Sequence, residues 1–168
     1  MRDGLEQEAV DFIGGLDGSY TDEYSDFGRF ATADPCPLVT AAASGWVRIV
    51  ECLLDRHVPV DSFGDDGSTP LFAAVDAIDE EWGLGMLLIL LRRGADPNLP
   101  AWAGIRPLTR SVYVKARVAF QVLLIFGADP NLCDEDDGFA SVRKLRDTNR
   151  FPRDWISDLR RFCRSGTR

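Results

Sequence analysis

An all-α fold of stacked helix-turn-helix repeats is predicted by three recurrences along the 168 residues. The phrase Gly94-Ala95-Asp96-Pro97-Asn98 returns as Gly127-Ala128-Asp129-Pro130-Asn131, 33 residues later, and in degraded form as His57-Val58-Pro59-Val60-Asp61. A leucine pair precedes each phrase (Leu53-Leu54, Leu90-Leu91, Leu123-Leu124), and a proline-leucine pair opens each segment (Pro37-Leu38, Pro70-Leu71, Pro107-Leu108). A period of this length implies supersecondary units that bury their apolar faces only against one another.

Local chemistry justifies each element in chain order. Residues 4–16 carry Leu5, Ala9, Ile13 and Leu16 at helical spacing and are expected to cover one end of the stack. Residues 17–33 have no clear period and mix acids with aromatic rings, which makes them either a loop folded onto the stack or a binding arm. The three units then predict helix pairs over 37–56, 70–93 and 107–126, with no sheet beyond pairing within the turns. Thr69 suits an N-cap, and Pro70 suits the first helical position, where a missing N–H costs nothing. Gly94 and Gly127 suit the left-handed residue that ends the second helix, and His57 stands at the same place in the first unit. Residues 61–68 and 98–105 are polar, glycine-bearing stretches able to reverse the chain as hairpin-like fingers. Unit two is four residues longer than its neighbours, and the excess falls within 76–85. There, the insertion with Asp79-Glu80-Glu81-Trp82 either packs Trp82 onto the helices, the reading adopted, or makes a second contact. Beyond unit three, residues 134–138 look like another finger and 140–146 like a first helix. A final helix opening at Pro152 would put Trp155, Ile156, Leu159 and Phe162 on one face as a cap.

This pattern of a turn and two short helices resembles the ankyrin repeat, well over residues 34–131 and weakly over 132–163. The resemblance implies an ankyrin-repeat solenoid in a single domain: N-terminal cap and acidic loop over 1–33, three repeats over 34–131, and a diverged C-terminal repeat or cap over 132–168. His57, Arg106 and Ser111-Val112 stand where the family has glycine, threonine and an alanine pair, as in a diverged natural array.

Composition agrees with one compact domain, since 45% of residues are hydrophobic. The opening residues lack a charged-then-apolar leader, and the longest apolar run is far too short to span a bilayer, so a soluble, cytoplasmic protein without membrane attachment is expected. The four cysteines are widely separated without a Cys-x-x-Cys pair, as suits reduced thiols. Arginine outnumbers lysine seventeen to two, a bias expected of a GC-rich bacterial genome. The net charge of −8 is distributed as an acidic body with a basic tail. That balance disfavours nucleic acid, which needs a positive surface to replace released counterions, and favours a basic protein partner. The same charges could also do no more than solvate the surface.

Catalytic chemistry finds little support. His57, the only histidine, falls at a helix end, without the positioned partner and cleft that a general base needs. Residues 134–138 resemble a calcium loop, but the glycine comes one place early and no glutamate closes it. No cofactor or metal is expected, and the chain is read as a non-enzyme.

A recognition surface remains. The resemblance places it on the fingers and on the exposed side of the first helices, at Phe63, Asp65, Asp66, Asp76, Trp102, Ile105, Tyr113 and Val114, with Asp134, Glu135 and Asp136 on the last finger. Phe63 and Trp102 sit near finger tips, where each ring either anchors a partner or folds back on its neighbouring finger. Small acidic ankyrin proteins serve as bacterial immunity proteins, so the resemblance implies a specific inhibitor. It would neutralise a cognate toxin with a basic surface, as a monomer in a one-to-one complex. The alternative is an adaptor or a secreted effector that docks onto a host protein.

Overall fold

The computed structural model describes residues 36–132, Val142, Leu145 and 151–163, except for the side chains of Trp102, Phe162 and Cys163. The expected helix over 4–16, the segment 17–33 and the finger at 134–138 lie outside the described residues. Seven α-helices are described: α1 (Pro37–Ser44), α2 (Val47–Asp55), α3 (Pro70–Asp76), α4 (Gly83–Arg92), α5 (Pro107–Tyr113), α6 (Arg117–Ile125) and α7 (Ile156–Cys163). There are also 3-10 turns at Trp102–Gly104 and Arg153–Trp155, and no strand occurs among the described residues.

The helices pair as the proline and leucine positions predict. α1 packs on α2, α3 on α4 and α5 on α6, while the first helices stack as α1, α3, α5 and the second helices meet as α4 on α6. Proline opens each first helix, and in α3 the Thr69 Oγ1 accepts the Phe72 N–H at 3.2 Å. Cys36 and Arg106 make no such capping bond, so two of the three starts rely on proline alone.

The second helices all end in the same way. His57, Gly94 and Gly127 have φ of 64°, 92° and 93°, and each donates its N–H to the second leucine of the preceding pair. The next residues, Val58, Ala95 and Ala128, donate to the first leucine at 3.1, 3.0 and 2.9 Å. This double closure satisfies carbonyls that a helix end otherwise leaves open. The left-handed backbone expected at His57 is thus present, on a residue with a Cβ.

The core repeats in register. Leu53, Leu90 and Leu123 are completely buried at equivalent positions. One turn earlier stand Ile49-Val50, Met86-Leu87 and Ala119-Phe120, all buried, so a small residue beside a large one in unit three takes the place of two medium ones in unit one. Such exchange conserves volume, which is what a close-packed interior requires. Behind α6, Phe120 meets Phe151 and Trp155, with ring centroids 5.6 and 5.2 Å away. α7 packs on α6, and Arg117 holds it by bonds to Asp158 (2.9 Å) and Asp154 (3.3 Å). Trp155 and Leu159 are buried and Ile156 packs against the core, as the helical spacing predicts, and the buried, helical Val142 and Leu145 fall within the expected 140–146 helix. No described helix is long and apolar enough to cross a membrane.

Candidate functional site

The fingers reverse the chain by one repeated set of bonds. The Gly64 N–H donates to the Ser68 carbonyl at 2.8 Å, and 37 positions on, the Ala101 N–H donates to the Ile105 carbonyl at 2.9 Å. Gly67 and Gly104 have φ of 79° and 69°. A polar ladder joins the finger bases. Asp61 accepts the Asp96 N–H at 3.1 Å. In the next unit, Asn98 at the equivalent place accepts the Asp129 N–H at 2.7 Å and donates to the Gly127 carbonyl at 3.1 Å. The asparagine that ends the recurring phrase is therefore a bridge between units as well as a turn residue. Burial pushes the Asp61 carboxyl above its ordinary value, the Asp96 N–H bond opposes that, and the Asp96 charge adds to it.

Unit two departs where its four extra residues fall. α1 and α5 end at left-handed Gly45 (φ 75°) and Lys115 (φ 59°), but α3 runs into successive turns over 77–82. These carry Trp82 back over unit one. A Cβ on Gly45 would lie 2.3 Å from the Trp82 ring, so the absence of a side chain at Gly45 is what seats the indole. The expected packing of Trp82 is observed. Its Nε1, like Thr40 Oγ1, is buried without a hydrogen-bond partner among the described residues.

Between α1 and α3, under the first finger, lies a groove of about 830 Å³. Val39, Ala43 and Ala73 supply apolar surface, Phe72 and Trp82 supply rings, and Asp66, Asp76, Asp79 and Glu80 supply carboxylates. Among the described residues, no lysine or arginine lines it. Asp66 is tied locally, accepting the Ser68 N–H and hydroxyl, each at 2.8 Å. Asp76 is tied across units to Arg110, at 2.5 Å from Nε and 3.1 Å from Nη2, and the same guanidinium lies 5.6 Å from the centre of the Phe72 ring. Asp79 and Glu80 form no ion pair with any described residue.

The expected contact residues divide accordingly. Asp66 and Asp76 meet in the groove. Phe63, 53% exposed, and Asp65 lie on the first finger outside it; Tyr113, 37% exposed, and the half-buried Val114 lie at the end of α5. Ile105 is a correction. It is 2% exposed and forms a small cluster with Phe72 and Ala101, because the apolar surface of Phe72 needs a cover and the second finger supplies it. The side chain of Trp102 and residues 134–136 lie outside the described residues. Asp79 and Glu80 belong to the insertion whose alternative reading was a second contact, whereas sequence reasoning missed the small residues Ala43 and Ala73. Their signal was the comparison with Tyr113 and Arg110 at the same places in unit three.

No family model matches this chain, and no curated protein matches it.

Proposed function

We propose that this chain is an ankyrin-repeat binding protein whose finger and first-helix face clamps one protein partner, and that it acts as an immunity protein against a cognate toxin. The observation that carries the reading is the groove itself, an acidic and partly aromatic concavity between two first helices, with exposed Phe63 and Tyr113 on the same series of fingers and first helices. An acidic concave face speeds encounter with a basic partner and rejects acidic ones, whereas aromatic anchors slow departure. The three helix pairs with matched ends and the ladder between fingers support the repeat reading.

Co-expression with the product of the adjacent gene, followed by pull-down and a growth-protection assay, tests the proposal. A toxic neighbour that is bound and neutralised is the expected result. Phe63→Ala should then weaken the complex by about 2 kcal/mol, chiefly through faster dissociation, as expected of an aromatic hot spot. Asp65→Ala with Asp66→Ala should mainly slow association at low salt. A neighbour that is not toxic would remove the immunity reading and put the adaptor or secreted effector in its place.

A further inference from the structure

We propose that the groove between α1 and α3 receives an arginine side chain, presented on an extended segment of the partner; this rests on the proposed binding role of the same face. The argument begins with the register of the three first helices. Thr40, Ala73 and Arg110 are each three residues beyond the opening proline, and Ala43, Asp76 and Tyr113 are each six beyond it.

Where α5 packs on α3, the space between first helices is filled from within. Arg110 lays its guanidinium over the Phe72 ring and bonds both carboxylate oxygens of Asp76. One unit earlier, the residue in the place of Arg110 is Ala73, the residue in the place of Asp76 is Ala43 and the residue in the place of Phe72 is Val39. The methyl groups fill little, and the groove of about 830 Å³ opens there. It is the place where a guanidinium would lie if the unit carried one.

The surroundings suit that group. Trp82 offers ring surface, Asp79 and Glu80 have no ion pair with any described residue, and no described base lines the walls. A planar fork stacks on rings and bonds carboxylates through two parallel N–H groups, which a lysine ammonium cannot do. The volume leaves room for backbone on either side of the arginine, so the occupant is a segment of chain.

The probe is a pair of nine-residue glycine-serine peptides carrying three arginines or three lysines, titrated into the isotopically labelled full chain at low and moderate salt. The expected result is saturable shifts at the Trp82 indole N–H and the Ala43 and Ala73 amides. Binding of the arginine peptide should be at least about fivefold tighter than that of the lysine peptide, reflecting the planar fork. Asp79→Asn with Glu80→Gln should weaken it by a similar factor. Equal binding of both peptides, or shifts elsewhere only, would mean a generic acidic surface and overturns the proposal. Ala73→Arg supplies the missing side chain in cis and should abolish the peptide shifts; if that variant does not fold, the Asp79→Asn, Glu80→Gln pair makes the same discrimination. A variant that loses peptide binding but protects fully against the toxin overturns the groove as the partner's seat and leaves the immunity reading standing. Peptide binding as expected beside a neighbour that is not toxic supports the arginine site and removes the toxin.

Discussion

Two residues show how a backbone demand and a side chain can conflict. His57 occupies a left-handed position (φ 64°) that Gly94 and Gly127 fill in the other units. His57 is exposed, so no buried contact among the described residues offsets the strain of its Cβ. His57→Gly should raise stability by roughly 0.5 to 1 kcal/mol in denaturant melts, with binding of the proposed partner unchanged. Loss of binding at unchanged stability would instead assign the ring to an interface. Asp61 bridges to the Asp96 N–H as Asn98 bridges to the Asp129 N–H, but it carries a charge there. Its carboxyl is raised above the ordinary 3.8 by burial first, so the folded chain holds the proton more tightly than the unfolded chain. The group therefore favours folding in acid, below its unfolded value, and that contribution is lost as pH rises through the folded value. Asp61→Asn keeps an acceptor without the charge. The variant should be more stable than the parent at pH 7, and the advantage should vanish towards pH 3. An advantage that grows in acid would contradict the burial of this carboxyl.

At the scale of an element, the loop of unit two is seated by Trp82, with Ile78 also packed against the core. Gly45 and Lys115 share the left-handed backbone, and unit three tolerates a lysine there, so φ alone does not demand glycine at 45. The Trp82 ring demands it, since a Cβ would fall within 2.3 Å of the indole. Gly45→Ala should cost about 2 kcal/mol or more, combining left-handed strain with a displaced ring. The indole fluorescence should shift as Trp82 becomes wet, and a variant with parent stability and an unshifted spectrum would show that the loop is not anchored there. Much of this level was legible in the sequence. Helix starts at Pro37, Pro70 and Pro107 and ends at the leucine pairs follow from bonds that span three to five residues. The depth of Ile105 was not legible, because the Phe72 ring it covers belongs to the preceding unit.

For the whole molecule, the helix pairs bury their apolar faces against one another, so contacts at the ends of the stack matter most. Phe120 is fully buried beneath Phe151 and Trp155. Trp155→Ala should cost about 3 to 5 kcal/mol, the usual penalty for deleting a large core ring. Removing the chain from Pro152 onward should lower the melting temperature and the solubility together. A truncated protein that melts as the parent does would reject the capping role of α7.

The sequence by itself determined the period, the helix pairs, their turns and the repeated core positions, because these rest on short-range bonds and on an apolar spacing that any copy of the unit must obey. Only the tertiary structure decided where the surface is hollow. Whether Ala73 leaves a groove, whether Arg110 reaches Asp76, and whether Trp82 lies over Gly45 depend on residues 30 to 37 positions apart meeting across a unit boundary. The physical reason is that packing fills space by volume and direction, and neither is a property of one residue or one unit alone.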